Sequence, residues 1–329
     1  MKALLCHHVG ALDDLTLEDI PAPGPGPGEV RIRVRACSIN YPDLLAVAGK
    51  YQAPPALPFS PGMEIAGEVI ECGPGVAGPA PGTRVMALLS SGGLREEAIA
   101  KAQSCTPLPD SMDDATAAAL TVTYGTAYHA LVDRARLVAG ETLLVLGASG
   151  GVGTAAIDIG RTLGARVIAT SASDAKLARL REIYAVDETV NYTTLEAPFK
   201  DRINAMTGGR GADVIFDPVG GELFQQCMRC VAWAGRILVI GFAADADNLP
   251  QARTNLLLLK GSSLVGVYWG RLTQEDPARA RACIDALFRL HADGRITPHI
   301  SHRFPLERAV AALQTLAHSE VIGKCVVLP

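Results

Sequence analysis

A glycine-rich segment near the middle of the chain limits the possible folds more than any other feature. A continuous apolar run over residues 142–146 leads directly into Gly147-Ala148-Ser149-Gly150-Gly151-Val152-Gly153, and helical spacing of apolar residues continues to Leu163. An apolar run of this length is typical of a strand buried on both faces of a sheet. Glycine permits a tight turn and a close approach of the backbone to a neighbour or ligand. The segment therefore predicts a buried strand, a tight turn and a helix in immediate succession.

Strand and helix patterns alternate after this segment. Further strands are predicted at residues 166–170, 214–217 and 236–241, and helices at residues 174–183 and 221–231. Such alternation is typical of an α/β fold, in which helices cover both faces of a parallel sheet. We therefore expect a Rossmann-type, doubly wound parallel sheet in the middle of the chain.

The first third of the chain has a different pattern. It contains short strand candidates at residues 30–36, 64–71 and 82–88, separated by glycine and proline. This pattern predicts a compact, partly barrel-like β-rich domain. The alternation of the middle region also stops near residue 263, before two helix patterns and a final strand at residues 323–328.

Length and composition exclude several classes of protein. A chain of 329 residues exceeds one typical hydrophobic core and predicts two domains. The net charge of −4 offers no basic surface for nucleic acid. No apolar run is long enough for a membrane-spanning helix, and the N-terminus lacks the features of a signal peptide. The eight cysteines are scattered, as in a reducing compartment, and we expect a cytoplasmic protein.

The glycine-rich turn is also a candidate dinucleotide site. A helix N-terminus presents free N–H groups and a positive dipole end to a pyrophosphate. Aligned on Gly150 and Gly153, the pattern G-x-G-x-x-G has Ala148 in place of its first glycine, and an ordinary βα turn is the alternative interpretation. The cofactor contacts predicted here are Ser149, Gly150, Gly151 and Val152.

The end of the second predicted strand favours NADPH over NADH. An NAD site usually has an acidic residue about twenty positions after the glycines, on the ribose hydroxyls. Residues 167–173 contain no acid, and Asp174 stands where it can cap the next helix. The Ser171 hydroxyl and the Lys176 ammonium suit a 2′-phosphate. A turn serine and a solvated helix lysine are the alternative interpretations of these two residues.

The chain resembles the zinc-independent quinone oxidoreductases of the medium-chain dehydrogenase/reductase superfamily. The resemblance covers nearly the whole chain and rests on residues 27–32, 40–43, 61–64, 148–153, 217–221 and 323–328. It implies a GroES-like catalytic domain made of residues 1–123 and 262–329. It also implies an NADP-binding Rossmann domain made of residues 124–261.

The resemblance further implies the residues of the site. Asn40, Tyr41 and Tyr51 would line the substrate pocket, with Tyr51 either a hydrogen-bond donor to the acceptor or a packed aromatic. Asn40 would hold ribose or substrate, or cap a loop, and Asp43 would be structural. The cofactor contacts that it adds are Thr126, Tyr192, Gly241 and Phe242.

The sequence also lacks residues that zinc alcohol dehydrogenases use to bind zinc. Where zinc alcohol dehydrogenases have Gly-His-Glu, this chain has Gly62-Met63-Glu64, and a thioether is a poor zinc ligand beside imidazole or thiolate. Residues 88–105 contain a single cysteine, so the four-cysteine lobe of those enzymes is missing. A CxxC pair, Cys227 and Cys230, lies within a predicted helix and is interpreted as helix packing.

These observations predict an NADPH-dependent quinone reductase that needs no metal. A reductase of enones, 2-alkenals or enoyl thioesters is the nearest alternative, and an NADPH-binding structural or RNA-binding protein is an alternative of another class. The expected partners are a small-molecule quinone or enone and a second copy of the chain. The homodimer is expected because the apolar residues 255–260 lead into a strand near the edge of the sheet.

Overall fold

A computed structural model describes residues 1–244 and 249–329, and the described chain divides into two units. The first unit contains residues 1–122 and 300–329, and the second contains residues 123–299. The division after Val122 lies one residue before the limit that the resemblance implies, and the return to the first unit comes at Ile300, where the resemblance implies residue 262.

The N-terminal segment of the first unit consists mainly of strands. They are β1 (Lys2–Leu5), β2 (Thr16–Asp19), β3 (Glu29–Ser38), β4 (Glu64–Cys72), β5 (Arg84–Leu88), β6 (Glu97–Lys101) and β7 (Cys105–Pro107). The helices of this segment are α1 (Tyr41–Val47) and α2 (Asp114–Ala118).

The second unit alternates helices and strands. Its strands are β8 (Thr142–Val145), β9 (Arg166–Ser171), β10 (Glu188–Asn191), β11 (Ala212–Asp217), β12 (Val231–Val239) and β13 (Ser263–Gly266). Its helices are α3 (Thr123–Tyr128), α4 (Gly151–Thr162), α5 (Asp174–Tyr184), α6 (Phe199–Met206), α7 (Gly221–Cys230), α8 (Thr254–Lys260), α9 (Trp269–Glu275) and α10 (Pro277–Ala292). The chain then returns to the first unit with β14 (Ile300–Pro305), α11 (Ala309–Ala317) and β15 (Lys324–Leu328).

The six-stranded sheet of the second unit has the order β10-β9-β8-β11-β12-β13, and every pairing in it is parallel. Counted from β8, this is the order 3-2-1-4-5-6 of the dinucleotide-binding Rossmann fold. The predicted doubly wound sheet is therefore confirmed. The expected domain limit at residue 262 fails because β13 pairs with β12 and so completes this sheet.

The sequence also predicts a helix over residues 126–138, and the structure gives this segment a different form. The α-helix α3 ends at Tyr128 and continues as a π-helical turn, His129–Arg134. Arg136 then adopts a positive φ of 50°. An α-helix cannot continue through this left-handed residue, so the helix stops short of its predicted end.

The larger sheet of the first unit has the order β14-β15-β3-β4-β5-β7, with β6 also paired to β3. All of these pairings are antiparallel except that of β14 with β15. The register between β3 and β4 shifts twice, which bends the sheet and gives it a partly barrel-like form. The register also places Ser38, at the end of β3, beside Glu64 on β4 and Val326 on β15.

No helix in the described part of the chain is long and apolar enough to cross a membrane.

Candidate functional site

The glycine-rich turn of the second unit leaves main-chain donors available at a helix N-terminus. Ala148 N–H donates to the Thr170 carbonyl at 2.9 Å, and Gly150 N–H donates to the Gly147 carbonyl at 3.0 Å. Helix α4 begins after Gly150, which supplies no side-chain cap. The N–H groups of the first turn are therefore available to an anion, with no capping side chain of Gly150 competing for them.

Gly153 brings α4 close to the turn. A Cβ atom at this position would collide with the Gly147 carbonyl oxygen and would lie 2.8 Å from the Ala148 Cα. The methyl group of Ala148 is itself fully buried. The alanine is thus accommodated at the first position of the glycine pattern, whereas a side chain at Gly153 would push the helix away. This arrangement fits a dinucleotide pyrophosphate.

The predicted contacts at the end of β9 lie beside this turn. The Ser149 and Ser171 hydroxyl oxygens are 3.5 Å apart, and both side chains are buried. Ser171 Oγ also accepts a hydrogen bond from Ser173 N–H, and its carbonyl accepts one from Tyr192 N–H. The structure therefore brings Ser149, Ser171 and Tyr192 together at the carboxyl ends of β8, β9 and β10.

Lys176 lies in the first turn of α5, directly after this strand end. Its backbone N–H donates to Ser173 Oγ, the N-cap of the helix, at 3.4 Å. The Lys176 side chain is partly exposed, and Asp174 is exposed in the same turn. No carboxylate belongs to β9 or to the residues that join it to α5.

The loops after β11 and β12 complete the same edge of the sheet. A Cβ atom on Gly147 would lie 3.0 Å from Val219, and one on Gly220 would lie 3.3 Å from the Phe242 ring. Gly241 precedes this ring, and Ala243 N–H donates to the Pro218 carbonyl. The predicted residues Gly241 and Phe242 therefore adjoin the loop next to the glycine-rich turn.

Val219 and Gly220 adjoin the predicted site residues, although neither is itself predicted from the sequence. Asp217 Oδ1 accepts hydrogen bonds from the N–H groups of both residues at 2.8 Å. Burial raises the pKa of the Asp217 carboxyl, while these two donors oppose the rise. The Asp-Pro-Val-Gly-Gly run carried the signal, because Gly220 and Gly221 both need a positive φ.

Thr126 is buried in α3, and the residues next to it in the helix pack against α9 and α4. Its neighbour Gly125 packs under the Trp269 ring, and Tyr124 donates from its hydroxyl to Asp158 of α4 at 2.8 Å. In the described chain no hydrogen bond joins the Thr126 side chain to the glycine-rich turn. Its contact with a nicotinamide stays a prediction.

In the first unit, Asn40 belongs to a buried network of charged groups. Asn40 Nδ2 donates to Glu64 Oε2 at 3.0 Å and to the Ser38 carbonyl at 3.3 Å. Lys324 Nζ donates to Asn40 Oδ1 at 2.6 Å and lies 3.5 Å from Glu64 Oε2. The other oxygen of Glu64 accepts from Val122 N–H at 2.7 Å. Asn40, Glu64 and Lys324 are each at most 5% exposed.

Asp43 fixes two loops with its carboxylate, as the predicted structural role requires. Its oxygens accept from Asn40 N–H at 2.8 Å and from Gly62 N–H at 3.0 Å. Burial raises the pKa of the Asp43 carboxyl to about 6, although both donors favour the charged form.

The two predicted tyrosines differ in their surroundings. Tyr41 is the first residue of α1 and is 45% exposed. Tyr51 is partly buried and packs against the hydrophobic core of the first unit. The packing role of Tyr51 is therefore seen, and its role as a hydrogen-bond donor to an acceptor stays a prediction.

Two family models match the chain. Residues 26–110 match the alcohol dehydrogenase GroES-like domain, and residues 151–286 match the zinc-binding dehydrogenase domain. A quinone oxidoreductase-like protein 2 homolog from Nematostella vectensis is 38% identical and covers 99% of this chain and 88% of its own length. A quinone oxidoreductase from Rattus norvegicus is 32% identical over 100% of this chain and 98% of its own length.

Solved structures show the same fold over the whole chain. A mycobacterial protein solved in complex with NADPH has a TM-score of 0.91 at 28% identity and covers 100% of both chains. The CurK enoyl reductase has a TM-score of 0.87 at 25% identity and covers 99% of this chain and 98% of its own.

One matched family description names zinc, but the residues of this chain do not fit a zinc ion. Met63 offers only a thioether, and the Glu64 carboxylate is already bound by Lys324. Among residues 1–244 and 249–329, no group of three His, Cys, Asp or Glu side chains is arranged to hold a metal ion.

Proposed function

Because the chain belongs to the quinone oxidoreductases of the medium-chain dehydrogenase/reductase superfamily, we propose that it transfers a hydride from NADPH to a quinone without a metal. The fold indicates a nicotinamide cofactor. The observation that carries the choice of NADPH is the acid-free end of β9, where Ser171 stands beside Ser149. An acidic residue there would repel a 2′-phosphate.

In this proposal the second unit binds and orients the cofactor. The first-turn N–H groups of α4, including those of Gly151 and Val152, donate to the pyrophosphate. The Ser171 hydroxyl and the Lys176 ammonium bind the 2′-phosphate. The remaining predicted contacts, Thr126, Tyr192, Gly241 and Phe242, surround the rest of the cofactor. When bound, the nicotinamide supplies the hydride, and the protein supplies position and electrostatics.

The first unit provides the predicted substrate residues Tyr41 and Tyr51. A quinone needs little help from the protein, because the reduced oxyanion takes a proton from water. The buried Glu64 carboxylate of this unit is paired with the Lys324 ammonium, and no zinc chemistry is part of the proposed reaction. We expect activity to persist after prolonged dialysis against a chelator.

A reductase of enones or enoyl thioesters is the second candidate. The similarity to an enoyl reductase favours it, as does a phenol at Tyr51 that can donate to a carbonyl oxygen. NADPH oxidation with 1,4-benzoquinone, a 2-alkenal and an enoyl thioester separates the two. Faster turnover with the enone or the thioester would replace the quinone proposal. Tight NADPH binding without turnover of any acceptor would favour an NADPH-binding protein with another role.

We also propose that the chain forms a homodimer through the edge of the second unit's sheet. The edge strand β13 is accompanied by three exposed apolar side chains, Trp233, Leu258 and Leu259, which are 75%, 81% and 69% exposed. Apolar groups of this size beside an open strand favour an isologous contact. Light scattering on a size-exclusion column should give twice the mass of 34.4 kDa, and Leu258→Asp should halve it.

A further inference from the structure

The charged network of the first unit uses nearly all of its own hydrogen-bonding groups. Lys324 Nζ has three N–H donors, and it meets the Ile39 carbonyl at 3.2 Å, Asn40 Oδ1 at 2.6 Å and Glu64 Oε2 at 3.5 Å. Both amide hydrogens of Asn40 are donated, to the Ser38 carbonyl and to Glu64. Asn40 therefore has no N–H left on its side chain for a ligand.

This pattern argues against the predicted role of Asn40 as a donor to ribose or substrate. The Asn40 carboxamide is instead held on both sides, by an ammonium at its oxygen and by a carboxylate at its nitrogen. Its backbone N–H is held as well, by Asp43 Oδ2. Asn40 is the residue before α1, so these bonds fix the backbone at the start of the helix, where Tyr41 is the first residue.

Stability alone is a weak reason for such a network. A buried ion pair loses most of its Coulombic gain to desolvation, and apolar residues of similar size often replace it without cost. What apolar residues cannot reproduce is the orientation of a hydrogen-bonded amide. Here that amide lies at the beginning of the helix that carries a predicted substrate residue.

We propose that Lys324 is a positioning residue for the reductase site. Its ammonium balances the buried Glu64 carboxylate and holds the Asn40 carboxamide, and through Asn40 it sets the first turn of α1 and so the backbone position of Tyr41. The link to substrate rests on the proposed function, which assigns Tyr41 to the acceptor. The link to α1 rests on the network alone.

Two variants separate positioning from stability. Lys324→Met leaves Glu64 buried without its cation, so we expect a lower melting temperature together with lower turnover. The double variant Lys324→Met/Glu64→Gln removes both charges, so its melting temperature should recover. Methionine donates no hydrogen bond to Asn40 Oδ1. The kcat of the double variant with 1,4-benzoquinone should therefore stay on the order of ten-fold below that of the wild type. Its KM for NADPH, which the second unit binds, should not change.

The matched control is Arg84→Met. Arg84 pairs with Asp114 at 2.8 Å in the same unit and takes no part in the Lys324 network. This variant should lower the melting temperature and leave kcat at the wild-type value. A fall in kcat as large as that of Lys324→Met at an equal loss of stability would overturn the proposal.

Hydrogen exchange gives a reading that does not depend on activity. The peptide covering residues 40–47 should exchange faster in the double variant than in wild type, while peptides of the second unit remain unchanged. Wild-type kcat together with wild-type protection of this peptide in the double variant would overturn the proposal. If the wild type reduces neither quinones nor enones, the proposed function fails, and the exchange of this peptide decides the role of Lys324 by itself. If Lys324→Met does not fold, the double variant carries the test.

Discussion

The two polar centres of this protein are built from different materials. The glycine-rich turn of the second unit consists of main-chain donors at the start of α4 and carries no charged side chain. The network of the first unit consists of the buried Lys324 ammonium, Glu64 carboxylate and Asp43 carboxyl group around Asn40. The first leaves its donors facing outward, as a binding site must. The second satisfies its groups internally, as a supporting frame must.

The largest effect should come from adding a side chain in the glycine-rich turn of the second unit. Gly153→Ala would drive a methyl group into the Gly147 carbonyl and the Ala148 backbone, which cannot rotate away. We expect about 3 kcal/mol or more of lost stability from this overpacking, together with loss of NADPH binding. Fluorescence titration with NADPH and urea unfolding measure both. Gly266→Ala is the control, because a Cβ there meets nothing within 4 Å. Unchanged NADPH affinity in Gly153→Ala would mean that the turn is an ordinary βα connection.

The second largest effect concerns how the Asp43 carboxyl group, in the network of the first unit, makes stability depend on pH. Burial raises the pKa of Asp43 from 3.8 to about 6. Between these two pH values the folded protein keeps a proton on Asp43 that the unfolded chain has lost. The stability that Asp43 contributes is therefore fully present below the unfolded pKa and is lost as the pH rises through the folded pKa. Relative to Asp43→Asn, the wild type should lose at most about 3 kcal/mol across this window.

Urea unfolding of both proteins at a series of pH values measures this difference. Burial also raises the pKa values of Asp158 and Asp217 in the second unit, but both carboxyls are present in the two proteins and cancel. A difference that stays constant with pH would show that Asp43 is ionised in the fold throughout.

A smaller effect should separate the two nicotinamide cofactors. Lys176→Ala should raise the KM for NADPH by about ten-fold, equal to about 1.4 kcal/mol, and leave the KM for NADH nearly unchanged. Steady-state kinetics with both cofactors measures this. Arg179→Ala, on the same helix, is the control because Arg179 is exposed and pairs with Glu182. Equal changes for NADPH and NADH would remove the 2′-phosphate contact from Lys176.

The smallest effect should appear at Tyr51. Tyr51→Phe keeps the packing against the core and removes the phenol, so turnover of an enone should fall by about five-fold, the value of one hydrogen bond. Turnover of a quinone should change less, since its oxyanion takes a proton from water. If neither substrate responds, Tyr51 is a packing residue only.

The difference between the two centres also explains what the sequence could reveal. The apolar run before Gly147 and the glycines after it lie within one short segment, so local patterns predict β8, the turn and α4. The acid-free end of β9 is likewise local. The network of the first unit joins Ser38, Asn40, Glu64 and Lys324, which are far apart in sequence and are brought together by the pairing of β3 with β4 and β15.

The domain boundary near β13 and the start of β12 also depend on pairing between strands that are distant in sequence, which local patterns do not predict. The sequence predicts a strand over residues 263–267, but the sheet to which a strand belongs depends on its partner, and β13 pairs with β12. Strand β12 begins at Val231 and not at the predicted residue 236, because Val231 pairs with Ala212 before the register shifts. In both cases the local sequence of the strand does not specify which strand it pairs with.

The position of β15 has a consequence for the order in which the chain is made. The second unit is one continuous stretch, residues 123–299, and can fold as soon as it has been synthesised. The sheet of the first unit begins earlier but waits for β15, which pairs with β3 across nearly the whole chain. Until Lys324 is translated, the Glu64 carboxylate has no cation to pair with. The sheet of the first unit is thus completed only after residues 324–328 have been synthesised, although most of its strands precede the second unit in the chain.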